Sequence, residues 1–296
     1  MLLSGCDAPE NLSADASYEV IGGFPPQDVS CPGMYDSAGA AILYCPENQS
    51  ILYGHDIHSE RAIASITKIM TAVVALEFAS VNDVEVTITP QMYAEGSSMY
   101  LKEGEVLKLS ELVRGMMAVS GNDAANAVAF AVAGSNEDFA DLMNEKAAQI
   151  GMEHTHFVTP SGLDSEKHYS TAYDMALLCA YAMDDPQFAG IVSERNVSVS
   201  YVLPEGKTAE MTNHNRLLSI CEGCRGIKTG YTSKAGRTLT SCAERNGKRL
   251  IAVTLNDRND WDDHCRLYDQ GFAMLNDNTE DNQNGKQQNK STENNS

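Results

Sequence analysis

Ser65 and Lys68 stand three apart in the run Ser65-Ile66-Thr67-Lys68-Ile69-Met70-Thr71-Ala72, and a mostly apolar stretch follows to Leu76. Positions three apart share one face of a helix, so the hydroxyl and the amine can touch. A serine hydroxyl is a weak nucleophile until a base takes its proton. A lysine amine stripped of water can be that base. The pair needs neither metal nor histidine. Alone the pattern carries little weight: with 25 Ser and 11 Lys among 296 residues, about one S-x-x-K arises by chance. A helix N-cap serine followed by a solvated lysine would read the same way.

Two further patterns fit the first. Ser120-Gly121-Asn122 falls at a break between two helical stretches. Lys228-Thr229-Gly230 lies inside a strand-like run, Gly226 to Tyr231. An S-x-N recurs at Ser80-Val81-Asn82, so that motif proves nothing by itself. K-T-G is different: composition predicts about 0.04 occurrences, and one is present, Lys207-Thr208-Ala209 being only a near match. In this order, S-x-x-K, S-D-N and K-T-G form the set shared by penicillin-binding proteins and class A β-lactamases.

The elements that must position these residues can be read in outline. Ala38 to Cys45 and Ser50 to Gly54 are apolar runs around Pro46-Glu47-Asn48-Gln49 and predict a β-hairpin. Helices are predicted from Ser65, from Ser110 to Val119, Asp123 to Ala133, Asn136 to Ile150 and Thr171 to Met183. Val84 to Thr89, Asn196 to Leu203, Gly226 to Tyr231, Thr238 to Ala243 and Arg249 to Leu255 read as strands. Arg245-Asn246-Gly247 supplies a hairpin turn between the last two. A helix from Trp261 to Leu275 closes the pattern. Strands, then helices, then strands again predict an α/β (α+β) fold. Its antiparallel sheet comes from both chain ends, flanked by helices, with an all-helical insertion at about 80–185. Residues 1–35 read as a polar leader or tether, 36–276 as the catalytic domain, and 277–296, which contain no apolar side chain, as a disordered tail.

Net charge is −20, from 21 basic and 41 acidic residues. Nucleic acid and an anionic membrane face both call for a basic patch, so neither is an expected partner. There is no uninterrupted 18-residue apolar run. Leu2-Leu3-Ser4-Gly5-Cys6 resembles the lipobox of bacterial lipoproteins, which makes Cys6 a candidate lipid anchor, although the basic and apolar leader segments are lacking. Among the eight cysteines, Cys221-Glu222-Gly223-Cys224 is a lone C-x-x-C without the second pair a structural zinc would want. A local disulfide and free thiols both remain open. His154 and His156 have no third ligand nearby in sequence and read as surface or packing residues. No metal and no cofactor is expected.

Taken together the chain resembles the serine-type D-alanyl-D-alanine carboxypeptidases, the low-molecular-mass penicillin-binding proteins. The likeness runs through Arg61 to Ala72, Gly96-Ser97-Ser98-Met99-Tyr100-Leu101, Val119 to Ala124, Ser161-Gly162-Leu163, His168 to Ala172 and Gly226 to Thr232. It covers roughly residues 36–275 and implies the β-lactamase/transpeptidase-like fold. It also implies roles: Ser65 as nucleophile, Lys68 as its base, and Ser120 as proton relay. Asn122, Lys228, Thr229, Gly230 and Tyr231 would bind substrate, with backbone N–H groups of Ser65 and Tyr231 as the oxyanion hole. The implied partners are the D-Ala-D-Ala peptide of peptidoglycan and β-lactam inhibitors, met at the cell envelope or after secretion. Arg258 is a candidate for the carboxylate-binding arginine that the family often has. A class A β-lactamase would need S-D-N and an E-x-x-L-N loop. Here Gly121 replaces the Asp, and Glu166 is followed by Lys167-His168-Tyr169-Ser170. A lasting penicilloyl adduct is therefore expected rather than rapid hydrolysis. A penicillin sensor without turnover is the rival from another class.

Overall fold

The computed structural model describes residues 25, 27–31 and 33–275. Cys6 with most of the leader, and the tail at 277–296, lie outside the described residues.

Five strands carry the architecture: β1 (Ala40–Cys45), β2 (Ser50–His55), β7 (Cys224–Thr232), β8 (Gly236–Arg245) and β9 (Lys248–Leu255). Their order is β2-β1-β9-β8-β7, with every neighbouring pair antiparallel. The two ends of the chain thus meet in mid-sheet, Ile42 opposite Val253. Asn246 and Gly247 turn β8 into β9 with φ of 52° and 73°. That is the doubly left-handed turn an Asn-Gly pair favours, because it matches the twist of the strands.

Central strands must be apolar on both faces when both faces are covered. β1 is buried at all six positions. Its side chains alternate: Ala40, Ile42 and Tyr44 enter the larger core cluster, Leu43 and Cys45 the smaller one. β9 divides likewise, with Ile251, Val253 and Leu255 on one side and Leu250 and Ala252 on the other. The smaller cluster is covered by the closing helix, residues 260–275, through Leu267, Tyr268 and Phe272.

The larger cluster is covered by the helical insertion: α1 (Lys68–Val81), α2 (Leu109–Val119), α3 (Asn122–Ala133), α4 (Asn136–Ile150), α5 (Ala172–Met183) and α6 (Pro186–Ser193). α1 is buried around most of its circumference and so carries little amphipathic pattern. By length and composition Ala64–Val81 could cross a membrane. Thr, Lys and Glu side chains break the run in sequence, and the structure uses it as the core helix.

The predicted elements differ from the observed ones in local ways. Ser65 lies in a 3-10 turn, Ala64–Thr67, and α1 starts at Lys68. The strands predicted at 84–89 and 196–203 shorten to β3 (Glu85–Thr87) and β5 (Asn196–Ser200). β3 finds a partner not read from the sequence, β4 (Val106–Lys108), and β5 pairs with β6 (Thr208–Thr212) in a hairpin, as the stretch Lys207-Thr208-Ala209 predicts. The short α6 and the single turn α7 (Leu217–Ile220) were also not apparent. α2 is capped from a distance: Asp83 accepts the Ser110 N–H at 2.9 Å and its hydroxyl at 2.8 Å. Within the stretch read as tether, Val29 pairs with Gly54 of β2, and Met34 enters the smaller core.

Candidate active site

Three segments converge at the boundary between sheet and insertion. They are the 64–67 turn leading into α1, the break between α2 and α3 at Ser120-Gly121, and the middle of β7. A pocket of about 390 Å³ opens there, lined by Ser65, Ser97, Ser120, His214, Thr229, Gly230, Tyr231, Arg237, Asp260 and Trp261.

Lys68 is the centre of the arrangement. It is fully buried, and its Nζ lies 2.9 Å from the Ser65 hydroxyl, 2.7 Å from Asn122 Oδ1 and 2.7 Å from the Ser161 carbonyl. Burial, and next the nearby Lys228, push its pKa well below the ordinary lysine value, against an opposing pull from Asp123. A neutral amine has two N–H donors and one lone pair. Two of the three partners, Asn122 Oδ1 and the Ser161 carbonyl, can only accept. The third is a hydroxyl that can donate. Deprotonated Lys68 therefore aims its lone pair at the Ser65 proton.

The surroundings hold that geometry. Thr71 donates to the Pro160 carbonyl at 2.6 Å, tying α1 to the loop that presents Ser161. Gly162 follows with φ +82°, and a Cβ there would meet the Ala64 carbonyl oxygen at 2.0 Å, so only glycine lets the loop come this close. His168 Nδ1 accepts the Val158 N–H at 3.1 Å. Its Nε2 must then carry the proton, which it donates to Thr67 Oγ1 at 2.8 Å. Thr67 in turn donates to the Ala64 carbonyl at 2.8 Å, one residue before Ser65. Burial pushes the His168 pKa down to about 4, which keeps the ring neutral in this chain.

β7 supplies the opposite wall. Lys228 is buried, donates to the Thr229 carbonyl at 2.9 Å, and is pushed down to about 7 by desolvation. Gly230 shows why the motif ends in glycine. A Cβ there would lie 2.4 Å from Thr238 Oγ1, 2.9 Å from the Ser65 nitrogen and 3.1 Å from the Ile66 nitrogen. The strand can pass the Ser65 turn only with no side chain. Tyr231 points outward, 68% exposed, so what it offers the pocket interior is backbone.

Ser120 ends α2 in the left-handed region, φ +61°, and is buried against the pocket. Asn122 opens α3. While its Oδ1 takes Lys68, its Nδ2 donates to the Glu95 carbonyl at 2.6 Å.

A family model for D-alanyl-D-alanine carboxypeptidases matches residues 28–259. The chain belongs to this family. It is 33% identical to D-alanyl-D-alanine carboxypeptidase DacF of Bacillus subtilis over 73% of its own length, and spans 56% of that relative. It is 33% identical to DacB2 of Mycobacterium tuberculosis over 88% of its length, covering 89% of that protein. Among solved structures it resembles the Streptomyces K15 DD-transpeptidase, with a TM-score of 0.77 at 28% identity, across 83% of this chain and all of the other.

The structure therefore brings every sequence-nominated site residue to one place except Arg258. That residue is exposed and does not line the pocket. Arg237 of β8 lines it instead, held bidentate by Asp260 at 2.6 and 3.0 Å with its guanidinium 5.6 Å from the Trp261 ring. A lone arginine in a strand carries no sequence signal. Asp123 was also missed. It is buried and accepts from Ser98 Oγ at 2.7 Å and from the backbone N–H groups of Met99 and Leu101, fixing the loop that presents Ser97. Its place next to the S-G-N triplet was the available clue. His154 Nδ1 lies 3.7 Å from Glu60 Oε1. His156 faces the Lys167 carbonyl at 2.6 Å.

Proposed function

We propose that the protein removes the terminal D-alanine from peptidoglycan stem peptides through an acyl-enzyme on Ser65. The observation that carries this is the buried, desolvated Lys68 whose three partners leave its lone pair facing the Ser65 hydroxyl. Lys68 takes the proton as Ser65 Oγ attacks the carbonyl of the penultimate D-alanine. The oxyanion is received by the Ser65 and Tyr231 N–H groups; one such donor is commonly worth about 3 kcal/mol in the transition state. Ser120 passes the proton to the departing D-alanine amine, and water then hydrolyses the ester. Asn122 holds Lys68 and meets the substrate amide.

Thr229 and Arg237 line the side that would take the terminal carboxylate, and Lys228 is buried next to Thr229 in β7. Of these, Arg237 is the planar donor suited to a carboxylate: it lines the pocket while its Nε and Nη2 donate to Asp260. β-Lactams follow the same acylation route, and with no deacylating glutamate loop the adduct persists. Such chemistry belongs outside the cytoplasm, where peptidoglycan lies. Attachment through Cys6 is the accompanying reading of the N-terminal stretch, and processing that resists globomycin in the native host would reject it.

The test is D-alanine release from an acyl-D-Ala-D-Ala peptide alongside intact-mass measurement with benzylpenicillin. Release together with a lasting single adduct is the expected result. Adduct without release would mark a sensor, and rapid adduct loss without release would mark a β-lactamase.

A further inference from the structure

The pocket wall made by the closing helix carries a second arginine at its edge. Asp260 and Trp261, the first residues of that helix, line the pocket together with Arg237. Arg216, just before α7, places its guanidinium 5.9 Å from the Trp261 ring, and that of Arg237 lies 5.6 Å from the same ring. The backbone around Arg216 is fixed. His214 lines the pocket, and its N–H donates to the carbonyl of Ala118, two residues before Ser120, at 3.1 Å. Asn215 is buried and accepts the Leu217 N–H at 3.0 Å. With 41 acidic residues against 21 basic ones, most arginines here find a carboxylate. Arg114, Arg245, Arg249 and Arg266 each do, and Arg237 has Asp260. Arg216 is exposed, and among the described residues its guanidinium meets no carboxylate and no hydrogen-bond acceptor. The Trp261 indole N–H likewise has no acceptor among them.

We propose that Arg216 and Trp261 form an outer subsite for a second carboxylate, carried by the side chain of the residue that leaves the substrate. The proposal rests on the reading above, in which Thr229 and Arg237 take the terminal carboxylate. A leaving D-alanine ends at those two groups, because its side chain is a methyl. A leaving D-residue with an acidic side chain has one anion for Arg237 and another for Arg216, and its methylenes lie along the Trp261 ring. The Arg216 guanidinium presents a planar set of donors that matches a carboxylate, and the indole N–H adds a neutral donor. The chemistry is the same as for D-alanine. The amide to the leaving residue breaks as the Ser65 ester forms, its amine departs with the proton passed by Ser120, and water hydrolyses the ester. The substrate class is therefore D-alanyl peptides that end in a dicarboxylic D-residue such as D-glutamate, besides those that end in D-alanine. A leaving D-lysine brings an ammonium to the same place and is repelled.

The experiment measures kcat/KM of the full chain, and of Arg216→Gln and Arg216→Lys, on acyl peptides ending in D-Ala-D-Ala, D-Ala-D-Glu and D-Ala-D-Lys. Attraction of one side chain and repulsion of the other, both at an exposed position, should make the wild type favour D-glutamate over D-lysine about tenfold. That ratio should fall about fivefold or more in Arg216→Gln and be largely kept in Arg216→Lys. In the wild type it should also shrink at about 1 M salt, which screens exposed charges. A purely structural role for Arg216 would slow all three peptides together and leave the ratio and its salt dependence alone. A wild-type ratio near one, or a ratio unchanged in Arg216→Gln, would overturn the subsite. If D-alanine is still released in that case, the reading of the main site stands. Absence of both D-alanine release and a benzylpenicillin adduct would overturn the two together.

Discussion

Replacing Lys228 by methionine should make the protein more stable and a poorer catalyst. Lys228 is fully buried, with its pKa pushed from 10.5 to about 7 by desolvation. A group whose folded pKa lies below its unfolded one costs stability. The cost is full below the folded pKa and disappears as pH rises through the unfolded value. With these two values, keeping the lysine costs about 4 kcal/mol at pH 7 and about 2 kcal/mol at pH 9. Methionine has similar length and no charge. Its introduction recovers that cost less about 1 kcal/mol for the lost bond to the Thr229 carbonyl. The net gain is about 3 kcal/mol at pH 7 and about 1 kcal/mol at pH 9. Removing the like charge also lets the Lys68 pKa rise. That adds stabilisation of the same sign and moves the pH-dependence of acylation to higher pH. Urea unfolding of both proteins at pH 7 and 9, with benzylpenicillin acylation rates across the same range, provides the assay. A variant no more stable than wild type at pH 7, or a gain that does not shrink by about 2 kcal/mol at pH 9, would refute the electrostatic account of this strand.

Gly230→Ala forces a methyl to within 2.9 Å of the Ser65 nitrogen and 2.4 Å of Thr238 Oγ1. A displacement near 1 Å should slow acylation about 100-fold, and stopped-flow rates within threefold of wild type would contradict the close-approach argument. His168→Ala breaks the chain through Thr67 to the Ala64 carbonyl; stability should fall by about 2–3 kcal/mol in chemical denaturation, with acylation slowed as well. Arg237→Gln should raise KM for peptides bearing a free C-terminal carboxylate at least tenfold and leave amidated analogues unaffected, which comparative kinetics on the two substrates would reveal.

The sheet was legible because its strands carry their own signals. The β-branched runs of β7 to β9 and the Asn246-Gly247 turn fix three of its five strands, and the order of elements places the remaining two at the other chain end. The helices of the insertion showed through apolar periodicity. What escaped was short or owed its form to distant partners. β4 is a strand only because β3 lies beside it. The start of α2 is fixed by Asp83, 27 positions before Ser110. At the site, the motif residues were legible because rare residue combinations mark them. Asp123, His168 and Arg237 act through contacts 22 to 101 positions apart in sequence, and no local pattern encodes those. Arg258, nominated from the resemblance to the family, is exposed and does not line the pocket that Arg237 lines.

The central claim is that Ser65, activated by Lys68, is the group that becomes acylated. The most direct test is peptide mapping after a brief exposure of wild type and Ser65→Ala to benzylpenicillin. The account predicts one penicilloyl group, on Ser65 in the wild type and on no residue in the variant. Labelling of the variant at Ser120, or of the wild type anywhere but Ser65, would contradict it.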